Sequence, residues 1–204
     1  MTSEKNKVFI IDDEESVRRS FTLLLNSAGY SVESFAGIDE FIAGENHKDP
    51  GCILLDVFLD GKSGLEIQDE IKTKFPNLPI IYITGNGNVP MSVQALKKGA
   101  INFLQKPVDE QHLIASVEEA LKKSRDIVAS RITKDQIKSL LHTLSPREME
   151  IFRLIITGML NKQIASDLNI AEHTVKIHRG NLTNKLGVKS VAELVRMAEK
   201  AGLL

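Results

Sequence analysis

Residues 7–13 have the sequence KVFIIDD, a short apolar run that ends in two adjacent aspartates. Four further short runs follow in the first half of the chain, mostly rich in Ile, Leu, Val or Phe and without strict polar–apolar alternation. Runs of this kind are typical of strands that are covered on both faces. The five predicted strands are Lys7–Ile11, Tyr30–Phe35, Cys52–Val57, Pro79–Thr84 and Ile101–Gln105.

Stretches with helical spacing separate these runs, so that strand and helix alternate through the first half of the chain. The predicted helices are 15–28, 38–43, 64–75, 90–98 and 109–123. Regular alternation predicts an α/β fold, a doubly wound five-stranded parallel sheet with helices on its faces. Ligands of such sheets bind beyond the carboxyl ends of the strands, so functional side chains are expected directly after each run.

The second half of the chain has only helical patterns. From residue 144 we predict an all-α domain of four helices, at 146–157, 162–168, 172–186 and 190–201, with turn signals at Gly158, Asn169 and Gly187. Residues 124–143 are polar, contain no Pro or Gly, and are interpreted as a partly helical linker. The predicted domains are therefore 1–123 and 144–204.

Charge is distributed unevenly between the two halves. Residues 1–125 contain 14 Lys and Arg against 19 Asp and Glu, whereas residues 126–204 contain 12 against 8. An acidic first half and a basic second half favour different ligands, a cation and a polyanion. The longest apolar runs are too short to span a membrane, and the single cysteine, Cys52, excludes an internal disulfide. We expect a cytoplasmic protein that does not bind a membrane.

Five polar residues stand at the ends of the predicted strands: Asp12, Asp13, Asp56, Thr84 and Lys106. Clustered carboxylates raise one another's pKa unless a positive charge lies among them, and Mg²⁺ with oxygen ligands supplies that charge. The lysine and the threonine hydroxyl add donors for a phosphoryl group on a carboxylate nucleophile. Taken singly, each residue could be structural; their shared position at the strand ends favours a phosphoryl site.

The sequence differs from two classes of enzyme that have related folds. A dinucleotide site needs a glycine-rich turn after the first strand, where this chain has Asp12–Glu15. A phosphohydrolase of the haloacid dehalogenase type carries its aspartate nucleophile in a D-x-D pattern on that strand, which the adjacent Asp12 and Asp13 do not make. The sequence therefore excludes a dinucleotide-binding enzyme, whereas a phosphohydrolase with an aspartate nucleophile stays an alternative.

The helical half has the pattern of a helix-turn-helix. Ser145 and Glu148 form a predicted capping box, and small Ala165 allows two helices to cross closely. On the helix at 172–186, Val175, Leu182 and Leu186 share one face that we expect to be buried. The opposite face and its flanks carry residues suited to a DNA groove: His173, Thr174, Lys176, Ile177, Arg179, Gly180, Asn184 and Lys185.

Residues 7–123 resemble the receiver domain of two-component response regulators. The matching segments are VFIIDDEESVRR (8–19), CILLDVFLDGKSGLE (52–66), PIIYITGNG (79–87) and GAINFLQKP (99–107). The resemblance implies a flavodoxin-like fold with Asp56 as phosphoacceptor. It also implies Mg²⁺ binding by Asp12, Asp13, Asp56 and the Phe58 carbonyl. Thr84 and Phe103 would be the switch pair, Lys106 the phosphate-binding lysine, and Lys106–Pro107 a cis peptide.

Residues 144–204 resemble the LuxR-type helix-turn-helix domain. The matching segments are LSPREMEIFRLIITGMLNKQIASDLNI (144–170), HTVKIHRGNLTNKLGV (173–188) and SVAELV (190–195). The DNA-binding residues predicted on this basis are Lys162, His173, Thr174, Lys176, Ile177, His178, Arg179, Gly180 and Lys185. Two departures stand out: Ala171 replaces a frequent serine cap, and Gly180 replaces a residue that is basic in some members.

Both halves together resemble the FixJ/NarL class of response regulators over essentially the whole chain. This implies a transcription factor rather than an enzyme, phosphorylated on Asp56 by a sensor histidine kinase. Phosphorylation would promote a homodimer that binds double-stranded DNA and acts on RNA polymerase. In that class the final helix contacts the partner on DNA, through candidates such as Val191, Leu194 and Val195, although these could equally be core residues. The alternatives are a protein-binding adaptor and a metabolic phosphatase.

Overall fold

The computed structural model describes residues 6–44, 47, 49–59, 62–85 and 87–204, without the side chains of 62 and 63. Asp60, Gly61 and Asn86, which belong to the receiver-like segments, and residues 1–5 lie outside this description. The chain forms two compact units, Met1–Ala129 and Ser130–Leu204.

The first unit is built on a five-stranded parallel sheet. Its strands are β1 (Lys7–Ile11), β2 (Ser31–Phe35), β3 (Gly51–Asp56), β6 (Ile80–Thr84) and β7 (Asn102–Gln105), in the order β2-β1-β3-β6-β7. Successive side chains along each strand point to opposite faces of the sheet, and each face is covered by its own hydrophobic core. Phe9, Leu55 and Tyr82 pack on one side of the sheet, and Ile10 and Leu54 pack on the other. Both faces are covered, so the three central strands β1, β3 and β6 are mostly apolar and buried, and the predicted doubly wound fold is confirmed.

The register of the sheet brings the strand ends together. Ile11 pairs with Leu55, Asp56 pairs with Ile83, and Thr84 pairs with Gln105. All five strands are parallel, so the residues that follow β1, β3, β6 and β7 meet along one edge.

A small antiparallel hairpin follows the third strand of the sheet and was not predicted. It consists of β4 (Phe58–Leu59) and β5 (Lys62–Ser63). Two residues per strand are too few to produce a period-2 pattern, which explains why sequence inspection missed the hairpin.

Four helices of the first unit lie between its strands, as alternation predicts: α1 (Glu15–Ser27), α2 (Ile38–Ala43), α3 (Gly64–Lys74) and α4 (Val89–Lys97). The helix α5 (Glu110–Leu141) follows the last strand and continues past Ala129, the last residue of the first unit. α5 differs most from its predicted range, because it continues through most of the presumed linker. That stretch has no helix-breaking residue, and Ile137 and Leu141 are buried in the core of the second unit. Residues assigned to a linker therefore contribute to a hydrophobic core.

The second unit adds the four predicted helices: α6 (Pro146–Ile156), α7 (Asn161–Asp167), α8 (Glu172–Leu186) and α9 (Val191–Ala201). Val175, Leu182 and Leu186 are the buried residues of α8, as the helical wheel predicts. Asn169 forms the turn before α8 with a φ of 50°, a left-handed conformation that asparagine tolerates better than most residues. In the described ranges, no helix combines the length and apolarity that crossing a bilayer demands.

Candidate functional site

Three carboxylates cluster at the carboxyl edge of the sheet. Asp12 and Asp13 follow β1, and Asp56 is the last residue of β3. One oxygen from each lies within 4.8 Å of the others. The Asp12 and Asp56 residues are only 2% and 6% exposed, whereas Asp13 is half-buried. Such a concentration of negative charge requires compensation by a cation.

Lys106 supplies part of that compensation. Its Nζ lies 2.8 Å from Asp12 Oδ2 and 2.7 Å from Asp56 Oδ2, so one ammonium bridges two buried carboxylates. Burial raises the pKa of the Asp12 carboxyl, and the hydrogen bond from Lys106 opposes this change. Burial also disfavours the charged form of Lys106, but its bonds to Asp12 and Asp56 outweigh that effect and raise its pKa. The lysine is therefore held protonated beside both aspartates.

Backbone N–H groups hold the other carboxylate oxygens. Asp12 Oδ1 accepts from the Glu14 N–H at 2.9 Å, and Asp56 Oδ1 accepts from the Phe58 N–H at 3.0 Å. Both bonds span two residues, so the loops after β1 and β3 orient their own aspartates. The Phe58 side chain is 50% exposed. A metal contact by the Phe58 carbonyl stays a prediction.

Arg18 is a member of the site that sequence inspection missed. Its Nη1 donates to the carbonyls of Asp12 and Asp13, at 2.7 and 2.9 Å. Arg18 lies on α1, six residues after Asp12 and five after Asp13. The sequence pattern included only residues at the ends of strands, so it did not include a residue on a helix. Arg18 bonds the backbone of the acidic loop and leaves the carboxylates available.

Thr84 is the last residue of β6, and Phe103 lies within the neighbouring strand β7. Thr84 is fully buried, and its carbonyl accepts from the Lys106 N–H at 2.7 Å. Phe103 is partly buried against the same core as Tyr82. The Lys106–Pro107 peptide is cis, as the resemblance implies. The backbone therefore places Lys106 next to the end of β6, while the switch roles of Thr84 and Phe103 stay predictions.

The donor set at this edge suits a hard divalent cation. Three carboxylates in close proximity offer only oxygen ligands, which Mg²⁺ prefers, and the described residues around them include no soft ligand. Asp12, Asp13 and Asp56 are thus the residues that would hold Mg²⁺.

The solvent-facing side of α8 carries most of the predicted DNA-binding residues. Ile177, a large apolar residue, is 50% exposed there. The predicted set divides by burial: Lys162, His173, Lys176, Ile177, Gly180 and Lys185 are exposed, and Thr174, His178 and Arg179 are half-buried. An exposed isoleucine amid basic and polar groups fits a groove that presents both methyl groups and polar base edges.

The basic residues of this face differ in how firmly they are held. Lys176 lies 3.2 Å from Glu172 in an exposed i,i+4 pair, which costs little to break. The Arg179 guanidinium donates to Asn161 Oδ1 at 2.6 Å. Lys185 lies 2.7 Å from the buried Glu148 carboxylate. A phosphate contact by Lys185 would require that ion pair to break, so Lys176 is the more accessible cation.

The helix ends of the second unit agree with the capping pattern. Ser145 Oγ accepts from the Glu148 N–H at 3.2 Å, and Glu148 Oε2 accepts from the Ser145 N–H at 2.8 Å, as in the predicted capping box. Ala171 stands at the N-cap of α8 and makes no side-chain cap bond. In α9, Leu194 is buried and Val191 is 40% exposed, so Leu194 is a core residue rather than a free contact.

Family models match both units. Residues 8–118 match the response regulator receiver domain, and residues 142–198 match the luxR family of bacterial regulatory proteins. The first match covers the carboxylate cluster and the bridging lysine, and the second covers α6 to α8 and most of α9.

Relatives share this organisation over nearly their full length. Nodulation protein W of Bradyrhizobium diazoefficiens is 42% identical over 98% of this chain and 88% of its own. The transcriptional regulatory protein FixJ of the same organism is 34% identical over 98% of both chains. The solved response regulator StyR superposes with a TM-score of 0.81 at 42% identity, covering 96% of this chain and 99% of StyR. The chain therefore belongs to the FixJ-like response regulators, transcription factors that join a receiver domain to a LuxR-type helix-turn-helix domain.

Proposed function

We propose that a sensor histidine kinase phosphorylates Asp56, and that this modification controls homodimerisation and sequence-specific binding to double-stranded DNA. The observation that carries the proposal is the Lys106 ammonium, which lies 2.7 Å from Asp56 Oδ2 and 2.8 Å from Asp12 Oδ2. A fixed cation beside a buried carboxylate suits a site that must accept further negative charge.

The transfer is a displacement at phosphorus. An Asp56 carboxylate oxygen forms a new P–O bond, the P–N bond of the phosphohistidine breaks, and the imidazole nitrogen leaves with the electron pair. Bound Mg²⁺ would neutralise charge on the phosphoryl oxygens. Lys106 can exchange one of its carboxylate bonds for a phosphoryl oxygen, because the phosphoryl group occupies one oxygen of Asp56. The Phe58 N–H holds Asp56 in place during this exchange.

The response follows from the groups next to the pocket. Thr84 moves toward the new phosphoryl group, and its hydroxyl donates a hydrogen bond to that group. The Phe103 ring then turns inward, into the space that Thr84 has left. The receiver then dimerises through the region of Pro90 to Lys123. Two basic helix-turn-helix domains held together bind paired half-sites more tightly through effective concentration, with no new base contacts.

On the DNA, the solvent-facing side of α8 enters the major groove. Lys176 and Ile177 read base edges, and the flanking polar residues contact phosphates. The bound dimer acts on RNA polymerase to change transcription of the adjoining gene. Its site of action is the cytoplasm, where the chromosome and Mg²⁺ are both available.

The test is the intact mass of the protein after incubation with acetyl phosphate and Mg²⁺. We expect one phosphoryl addition, lost in Asp56→Asn and without Mg²⁺, and kept in Asp69→Asn, which alters an exposed carboxylate on α3. Phosphorylated protein should bind operator DNA more tightly than unmodified protein. An unchanged mass in the wild type would contradict the phosphorylation step, and turnover of small phosphate esters would favour a phosphatase instead. Absence of DNA binding at any salt concentration would favour a protein-binding adaptor.

A further inference from the structure

Tyr82 is a buried phenol in the middle of β6, two residues before Thr84. The residue is 0% exposed, and its hydroxyl donates to the Gly64 carbonyl at 2.8 Å. Burial raises the pKa of the phenol, so it stays protonated and remains a donor at neutral pH. A core position with only a packing role is served as well by phenylalanine, which has no hydroxyl that needs a partner. The hydroxyl therefore calls for a specific explanation.

Gly64, the acceptor of that bond, lies directly behind the phosphoacceptor. It is the first residue of α3, and its N–H donates to the Val57 carbonyl at 2.7 Å. A Cβ placed on Gly64 would lie 2.5 Å from the Asp56 carbonyl oxygen, closer than any real contact allows. The Tyr82 hydroxyl thus holds a backbone segment that is packed tightly against Asp56.

The ring of Tyr82 lies beside the second member of the switch pair. Tyr82 and Phe103 are register partners on β6 and β7, and their ring centroids are 6.2 Å apart. Gly87 adds a close contact here: a Cβ on it would lie 2.7 Å from both Phe103 Cε1 and Thr84 Cγ2. Thr84 and Phe103 therefore both lie close to Gly87, and the Tyr82 ring lies beside Phe103.

We propose that Tyr82 is a positioning residue that ties the backbone behind Asp56 to the Phe103 ring, so that phosphorylation of Asp56 and movement of Phe103 are coupled. The inference rests on the proposed function and deepens it. Its two parts are separable: the hydroxyl fixes Gly64, and the ring contacts Phe103. Removing the hydroxyl should leave the ring contact intact while loosening the segment behind the phosphoacceptor.

The experiment compares phosphorylation rates of Tyr82→Phe and Tyr30→Phe. Tyr30 is the other of the two tyrosines and packs against the core on the opposite side of the sheet, so its variant is a matched control. In the reaction, an Asp56 oxygen bonds to phosphorus, the bond from phosphorus to the acetyl oxygen breaks, and acetate leaves with the electron pair. The rate is followed by intact mass with acetyl phosphate and Mg²⁺, and thermal melts report the folded fraction.

We expect Tyr82→Phe to react about fivefold more slowly than the wild type, the effect of losing roughly one hydrogen bond, and to show a smaller gain in DNA affinity on phosphorylation. Tyr30→Phe should react at the wild-type rate. Tyr82→4-aminophenylalanine restores an N–H donor at the same place and should restore the rate, which a loss of general packing would not allow.

The outcomes separate the two proposals. No phosphorylation of the wild type overturns the proposed function and the inference with it. Normal wild-type phosphorylation with an unaltered rate and DNA response in Tyr82→Phe overturns the inference alone. A slower rate that matches only the unfolded fraction, or that 4-aminophenylalanine fails to restore, also overturns it.

Discussion

The Lys185 ammonium lies 2.7 Å from Glu148 Oε2, an oxygen that also accepts the Ser145 N–H at 2.8 Å. Glu148 is only 4% exposed, and Lys185 lies 37 positions further along the chain. One carboxylate thus closes the capping box of α6 and anchors the last turn of α8, the helix proposed to enter the DNA groove.

Removal of the lysine should destabilise the helical unit. Lys185→Met leaves a buried carboxylate without its cation, and we expect a loss of about 1–3 kcal/mol in the free energy of unfolding of this unit. Hydrogen exchange in peptides from α6 and α8 measures that loss. Lys189→Met, which removes an exposed lysine just beyond α8, is the matched control, and equal exchange in both variants would show that the ion pair contributes nothing.

The same pair predicts the acid sensitivity of this unit. The bond from Lys185 lowers the pKa of the Glu148 carboxyl. A lowered folded-state pKa means that the unfolded chain binds the proton first, so the stabilisation is complete above the ordinary glutamate pKa and is lost as pH falls through the folded value. Below about pH 5, therefore, protection of α6 and α8 should fall more steeply in the wild type than in Glu148→Gln. Parallel pH profiles for the two proteins would contradict this assignment.

A new cap on α8 should stabilise the helical unit. Ser145 and Ser190 accept N–H bonds at the starts of α6 and α9, whereas Ala171 offers no side-chain acceptor at the start of α8. Its backbone already has the extended conformation of an N-cap, with φ −67° and ψ 142°. Ala171→Ser should raise the unfolding free energy by about 1 kcal/mol, and Ala171→Val, which adds bulk but no acceptor, should not. Urea unfolding compares the two, and an equal effect of both would exclude capping as the cause.

The fold was predictable because its signals are local. Parallel strands covered on both faces are apolar runs, and the residues after them fall on one edge whatever the details of the helices. This is why Asp12, Asp56 and Lys106 could be grouped from the sequence before any distance was known. The exposed and buried faces of α8 were equally predictable, because a helical period places Val175 and Lys176 on different sides.

What sequence inspection missed depends on contacts between distant residues or on weak local patterns. Arg18 donates to backbone carbonyls of the pocket, and the Tyr82 hydroxyl donates to the Gly64 carbonyl. The spacing of residues in the sequence predicts neither hydrogen bond. The extension of α5 has too few regularly spaced apolar residues to be distinguished from a linker, and Ile137 proves to be core only when its neighbours are known.

The space around Gly87 should limit the packing of Thr84 and Phe103, the proposed switch pair. A Cβ there would meet the Phe103 ring and the Thr84 methyl group at 2.7 Å, so Gly87→Ala must displace one of them. We expect the receiver to lose about 1–3 kcal/mol of unfolding free energy in urea. The cost should shrink in a Phe103→Ala background, where the ring is gone, and the difference gives the coupling energy. Equal costs in both backgrounds would mean that the alanine is accommodated elsewhere.

The role of Lys176 can be read from the salt dependence of DNA binding. Its ion pair with Glu172 is exposed, so the ammonium is available to DNA at little cost. Lys176→Ala should weaken binding of the phosphorylated protein to operator DNA, measured by fluorescence anisotropy over a range of salt concentrations. A fall of about 1 per subunit in the slope of log affinity against log salt indicates a lost phosphate contact. A loss of discrimination between operator and random DNA with the slope unchanged indicates a base contact, since a base edge releases no counterion.

Lys200→Ala, near the end of α9, is the control that should change neither quantity. Wild-type affinity and discrimination in Lys176→Ala would remove this residue from the interface and leave Ile177 and its polar neighbours to read the sequence.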